Sequence, residues 1–310
     1  MNGTITGGTE SGVKITGAEG SEILLKDLTI TGNRNDTSGY GGGGVCADSG
    51  DLTIDYCRIT DNTAANGSGG GVSMGSKHGG TVENASLTIK DISGNTSTAQ
   101  GGGVYAAVTD GSVSITGSTL SGNSATAQGG GISVSASGST DVTLSGNTIL
   151  ENTAGQDGGG IYSENYEGIS ILGGAIQGNR AAKHGGGIYI HMLSRVTISG
   201  GEITNNTASG SGIRYGGGIY SESGVTVSNV TITGNNSTFE GGGIYGKGAI
   251  TLTDATVTDN NRYDVYYDGE EKTTPELTVS GLVQAGYYAN YAWKLPILVS
   301  GALNDDSVIR

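Results

Sequence analysis

The chain has 310 residues, of which 61 are glycine and 2 are proline, with 5% aromatic and 14% charged residues. Glycine costs about 1 kcal/mol per helix position relative to alanine, which excludes a helical bundle, and the lack of a strict every-third glycine with abundant proline excludes collagen. The net charge of −14 repels phosphate backbones, so no nucleic acid is expected as a partner; no apolar run approaches the roughly 18 residues of a membrane span, so no direct membrane insertion by this segment is expected.

Residues 1–32 read as an irregular or partial first coil. Met1-Asn2-Gly3-Thr4 leads straight into a strand-like pattern, without the charged and apolar regions of a secretory leader. A repeat then takes over. A glycine triplet ends at Gly44, Gly71, Gly103, Gly131, Gly160, Gly187, Gly218 and Gly243, at intervals of 27, 32, 28, 29, 27, 31 and 25 residues. Valine or isoleucine follows each triplet, and often tyrosine after it, as in Gly160-Ile161-Tyr162 and Gly187-Ile188-Tyr189. Between triplets lie runs such as Leu52-Thr53-Ile54, Val142-Thr143-Leu144 and Val196-Thr197-Ile198. A third mark completes each unit: an aliphatic residue three before an asparagine, from Ile30/Asn33 through Ile59/Asn62, Ile92/Asn95, Leu120/Asn123, Ile149/Asn152, Ile176/Asn179, Ile203/Asn206 and Ile232/Asn235 to Val257/Asn260.

Each unit thus holds three short alternating runs separated by Gly, Ser, Asn and Asp, which read as strands and turns. Strands this short bury no face alone, so successive units must stack. The expected fold is all-β: one right-handed parallel β-helix of about nine coils of about 28 residues, three strands per coil. Inward aliphatics stack on their own copies, glycines relieve a tight corner, and the asparagines form an internal amide ladder. Coils are expected over 1–262. Residues 263–310 read as a strand-rich C-terminal cap that continues the solenoid, because the triplet disappears and Tyr263, Tyr266, Tyr267, Tyr287, Tyr288, Tyr291 and Trp293 crowd together with Pro275 and Pro296. The chain is expected to be a segment of a longer protein.

The paired marks Gly-Gly-Gly-Ile and Ile-x-x-Asn, from about Ile30 to Asn260, resemble the polymorphic outer-membrane protein repeats of bacterial autotransporter adhesins. In that family a Gly-Gly-Ala-aliphatic motif alternates with Phe-x-x-Asn; here Gly stands for Ala, and Ile, Leu or Val for Phe. The chain equally resembles right-handed β-helix repeat proteins of bacterial surfaces. The resemblance implies an extracellular rod used for adhesion or display, with a host or environmental glycan or surface protein as partner. It transfers no site residue, because the family motifs are scaffold residues; no cofactor is expected.

Many β-helix proteins act on polysaccharides, and that chemistry needs converging carboxylates, or calcium-holding acids with a base. Of the pectinase-like motifs, Asp-Asp appears once, at Asp305-Asp306, beyond the repeat. Asp61 and Asp259 occupy a turn position that other coils fill with glycine. His78, His184 and His191 do not pair with Cys46 and Cys57 at a metal-binding spacing, and no metal site is expected; the two thiols are expected to be unpaired.

One outer column is the candidate ligand-binding surface. With the aliphatic residue inward, Tyr162, Tyr189, Tyr220 and Tyr245 point out and align, and two residues on the same face carries Glu164, His191, Glu222 and Lys247. Such a strip is either a platform for sugar rings or a protein partner, or a self-stacked ladder that braces neighbouring coils. A basic stretch, Arg180, Lys183, His184, His191 and Arg195, is either a solvated face or a seat for an anionic sugar. A carbohydrate-active enzyme and an ice-binding solenoid remain as alternatives, the latter for its threonine column Thr31, Thr60, Thr204, Thr233 and Thr258, which Ser93, Ser121, Leu150 and Gln177 interrupt.

Overall fold

The computed structural model describes residues 3–16, 20–39, 41–75, 82, 84–165, 167–191, 194–268, 277–281, 283–289, 298–303 and 308–309. It is a right-handed parallel β-solenoid, without helices among the described residues. Four parallel sheets run along it among the described residues. Sheet A has twelve strands, from Thr4–Thr6 to Val308–Ile309; sheet B has eleven, from Val13–Ile15 to Tyr287–Ala289; sheet C has eleven, from Glu22–Lys26 to Leu298–Leu303. These are the three strands expected in each coil. Sheet D, with eight two-residue strands from Arg34–Asn35 to Asn236–Ser237, was not expected. Two residues are too few to show an alternation.

One coil shows the path: Ile132–Ala136 in sheet B, Asp141–Ser145 in C, Thr148–Leu150 in A and Thr153–Ala154 in D, before the chain returns to B at Ile161–Asn165. Register is kept from coil to coil. In sheet A, Ile30 pairs with Ile59, Ile59 with Ile92, Ile92 with Leu120, and so on to Val257. None of these aliphatics is more than 4% exposed. Each fully buried one contributes roughly 1.5–3 kcal/mol, and the continuous column is the core that no single coil could make.

The three glycines of a triplet answer three different constraints. Gly129 has φ +67°, in the left-handed region that L side chains avoid. A Cβ on Gly130 would lie 2.4 Å from the Gly159 carbonyl oxygen and against the Thr153 backbone. A Cβ on Gly131 would lie 2.7 Å from the Gly160 oxygen and 3.2 Å from Asn152 Nδ2. The triplet therefore closes the corner between sheets D and B and leaves room for the asparagine column.

That column is a ladder. The Asn62 side chain Nδ2 donates to Asn95 Oδ1 at 3.0 Å and to the Ile30 carbonyl at 2.9 Å, and its backbone N–H donates to the same Oδ1. The same pattern links Asn95, Asn123, Asn152, Asn179, Asn206, Asn235 and Asn260. Beyond Asn260 a carboxylate takes the place of the next amide: Asp264 Oδ1 accepts from Asn260 Nδ2 at 3.0 Å, and its Oδ2 accepts from the Gly286 N–H. Buried amides are tolerated here because each is satisfied by its neighbours.

The turn position just before each asparagine is also uniform. Gly32, Gly94, Gly122, Gly178 and Gly234 have positive φ, and so do Asp61, Glu151, Asn205 and Asp259. Asp61 and Asp259 are turn residues, as expected, and stand far apart along the rod.

After residue 262 the strands Val265–Tyr267, Leu277–Gly281 and Gln284–Ala285 extend sheets B, C and A. Tyr291, Trp293, Pro275, Pro296, His78, Asp305 and Asp306 lie outside the described residues, as do the side chains of Tyr287 and Tyr288.

Candidate functional site

Sheet B aligns the expected tyrosines. Tyr162 pairs with Tyr189, Tyr189 with Tyr220, Tyr220 with Tyr245, and Tyr245 with Tyr266. Their rings stack with centroids 5.3, 5.0, 5.1 and 5.4 Å apart, nearly parallel. They lie outside the aliphatic core, as a second cluster.

The expectation of an exposed strip is corrected. Tyr162, Tyr189, Tyr220 and Tyr245 are only 6%, 8%, 3% and 1% exposed. Inner rings of the column have both faces against neighbouring rings. His184 and Tyr215 close over the column from the D–B corner: His184 stacks on Tyr220 at 4.8 Å and on Tyr215 at 5.4 Å, and Tyr215 stacks on Tyr245 at 4.3 Å. A sugar that packs on an aromatic needs a ring face, and here those faces are occupied.

The phenol ends meet the column two residues on. Tyr162 Oη donates to Glu164 Oε2 at 3.4 Å, and Tyr245 Oη donates to Asp268. Burial, then the Glu222 charge, holds the Tyr189 phenol well above the usual range; burial, then Glu164, does the same for Tyr162. Lys247 Nζ lies 5.8 Å from the Tyr220 ring centroid, a cation over a π face. Glu164 and Glu222 therefore serve the tyrosines, and His191 stands in the same outward column at the end of its sheet B strand.

Sequence reasoning missed Tyr105, which occupies this column between Ser73 and Ser133. It also missed Tyr215 and placed His184 only in the basic stretch, not over the tyrosines; these are the residues before two successive triplets. Their signal was present in the sequence, since the position before the triplet holds Gln100, Gln128, Asp157, His184, Tyr215 and Glu240 in turn. His184 Nδ1 accepts the Tyr215 N–H at 3.1 Å, and the His184 N–H donates to Asp157 Oδ1 at 3.0 Å. Burial, aided by Arg214, Lys247 and Lys183, pushes the imidazole down to about 4, so it is neutral at pH 7. Burial raises the Asp157 carboxyl, and the Glu222 charge adds to the shift.

The basic stretch does not form one patch. Arg180, Lys183 and His184 fall on the D–B corner, whereas His191 and Arg195 fall on the turn between sheets B and C. Arg195 and Glu167 line a groove of about 640 Å³ on the outer face of sheet C, floored by Thr197, Thr226 and Thr251. A second groove on that face, about 550 Å³, is lined by Asp51, Thr53, Asn84, Ser86 and Ser114.

Cys46 and Cys57 are both free and buried. Cys46 sits in the outer column of sheet B, where burial and then Asp48 push its thiol up to about 12. Cys57 points to the Leu25 carbonyl, 3.4 Å away. Among the described residues no group of three or more His, Cys, Asp or Glu side chains is gathered to hold a metal ion, and no helix is long and apolar enough to cross a membrane.

Comparison with known proteins adds one match. The family model of the right handed beta helix region matches residues 2–149 and 81–280, two overlapping segments that span most of the chain. No curated protein and no solved structure matches significantly.

Proposed function

We propose that this chain, which belongs to the right-handed β-helix family, is a non-enzymatic module of a bacterial cell surface, an extracellular adhesin or stalk whose outer faces meet glycans or surface proteins. The observation that carries this reading is the unbroken register from Ile30 to Val257. The coils spend their distinctive residues on scaffold: aliphatics in the core, asparagines in the ladder and, from Tyr162 onward, tyrosines in the outer stack. Such a molecule is a stiff spacer with long repetitive faces, suited to reach and to multivalent contact. The likeness of its paired marks to autotransporter adhesin repeats points the same way.

The fold fits a carbohydrate-active enzyme as well, and one observation favours that second reading. Burial raises the Asp157 carboxyl above its ordinary value, and the Glu222 charge adds to the shift, as an acid catalyst would need. Against it, the tyrosine stack fills the face between them. A glycan array probed with the purified rod, with product analysis on every bound glycan, separates the two. Binding without turnover is the expected result. New reducing ends or unsaturated sugars, lost in Asp157→Asn, would establish the enzyme instead.

A further inference from the structure

The cations of this acidic chain are treated differently at its two ends. Among the described residues, the salt bridges are Lys26–Asp55, Arg34–Asp36 and Arg58–Asp91, all within the first hundred residues. Farther along, Arg180 Nη2 donates to the Ser209 carbonyl at 3.3 Å and Lys183 Nζ to Gln156 Oε1 at 3.3 Å. Arg214 donates to the carbonyls of Ala182, Ile213 and Ser211. Neutral acceptors fix these side chains in place; Lys183 and Arg214 also act on the Asp157 carboxylate, and Arg262 on Glu240, so the cations of this corner outnumber its acids but do not stand alone. With Arg262, all of them stand on the corner between sheets D and B, in neighbouring coils.

The same corner is apolar at its surface. Ile213, Phe239 and Tyr263 are 53%, 43% and 45% exposed, three of the six large hydrophobic side chains that are exposed among the described residues. They follow one another coil by coil: the Phe239 N–H donates to the Arg214 carbonyl at 3.0 Å, and the Gly241 N–H donates to the Arg262 carbonyl at 2.9 Å. Tyr215 holds Phe239 by an edge contact, centroids 5.6 Å apart. Apolar and positively charged side chains therefore share this corner over neighbouring coils, about one rung of 4.8 Å apart.

We infer that this corner, from Arg180 to Tyr263, binds an acidic polysaccharide laid along the rod. Sugar rings offer C–H faces to Phe239 and Tyr263, and their carboxylate or sulfate groups meet Arg180, Lys183 and Arg262. An acidic peptide suits the site less well. Peptides that add to a β-structure draw on main-chain hydrogen bonds, and the backbone of this corner is already bonded from coil to coil. A polymer that is recognised through ring faces and charge needs none. The inference rests on the reading of the chain as a non-enzymatic binding rod, for which it names the ligand class.

The test measures binding of the whole chain to polygalacturonate, dextran sulfate, neutral dextran and poly-glutamate, at low and high salt. Binding to the two acidic polysaccharides is expected, weakening with salt as charge contacts do. The double variant Phe239→Ala with Tyr263→Ser should weaken it roughly tenfold or more, the usual loss for an aromatic anchor. The double variant Arg180→Gln with Lys183→Gln should weaken it and flatten the salt dependence. Arg214 is left intact because it braces its own loop, and thermal melting confirms that each variant is folded. Equal binding to neutral dextran or to poly-glutamate would overturn the inference, and so would full affinity in both variants. If no probe binds, the inference fails while the adhesin reading stands. Cleavage of a bound polysaccharide would leave the inference standing and fell the non-enzymatic reading.

Discussion

Two ladders run side by side along the rod, and their polarity is inverted. Inside the turn stand amides, Asn33 to Asn260, polar side chains that are costly to bury unpaired. Outside sheet B stand the aromatic rings Tyr162 to Tyr266, each with an apolar face and one polar hydroxyl. The inner ladder survives because, between its ends, each Oδ1 accepts two hydrogen bonds and each Nδ2 finds a carbonyl and another amide, as at Asn152 and Asn179. The outer one survives because each ring is covered by the rings of the coils above and below, and by His184 and Tyr215 at its side. In a solenoid, what lies one coil away decides whether a group is satisfied, more than whether it points in or out.

The sharpest way to break this comparison is to remove one rung from each ladder. Tyr220→Ser deletes a ring stacked on both sides, and the loss should approach the roughly 3–5 kcal/mol of a buried aromatic. Urea denaturation measures it, and a loss below about 1 kcal/mol would mean that the outer column is decoration, since pairwise stacking alone is worth about that much. Asn179→Ala strands the Asn152 N–H and Nδ2 together and should cost about 1–3 kcal/mol. Asn33→Ala should cost less in the same assay, because the first coil is held from one side and frays more readily.

The inner ladder was legible in the sequence. Its asparagine recurs nine times at a fixed distance from an aliphatic residue, and a period of about 28 residues turns that recurrence into a column. The outer alignment was legible for the same reason, through Ile161-Tyr162 and its successors. Its burial was not. That depends on His184 and Tyr215, whose positions before the triplet vary from coil to coil, so no repeat announces them. The basic stretch misled for a related reason. Arg180 and Arg195 are close in sequence, but the chain turns through sheet B between them and carries them to different corners. Arg214 and Arg262, far away in sequence, join Arg180 because they are whole coils apart.

Acid sharpens the comparison by acting on the outer ladder through His184. His184 is held from the usual 6.5 down to about 4 by its burial against Tyr220 and Tyr215 and by Arg214, Lys247 and Lys183. The unfolded chain therefore takes up a proton that the folded chain refuses. The stabilisation is complete above about pH 6.5 and is lost as pH falls towards about 4. Asp157 acts in the opposite sense: its carboxyl is raised, so its contribution is present in acid and lost as pH rises. Comparing His184→Phe with the parent isolates the histidine. The phenyl keeps the stacked ring and should flatten the decline between pH 6.5 and 4 in melts taken across that range.

The smallest expected effect lies at the turn before the inner ladder. Glu151 has φ +56°, where Gly122 and Gly178 stand in the adjacent coils. Glu151→Gly relieves a left-handed conformation that costs a side chain roughly 1–2 kcal/mol, and gives back up to about 1 kcal/mol in unfolded-state freedom. A rise in the melting midpoint is expected. A fall would show that the Glu151 side chain, and not its backbone, matters at that turn.

The outer column as an internal spine is the central claim, and its phenols report on it directly. With tyrosine labelled at ¹³Cζ, NMR across an alkaline titration follows each hydroxyl in the folded protein. Tyr162, Tyr189, Tyr220 and Tyr245 should stay protonated well beyond pH 10, the ordinary phenol value, because burial pushes all four up. Ionisation of these four near pH 10 with the fold intact would place them in solvent and contradict the account.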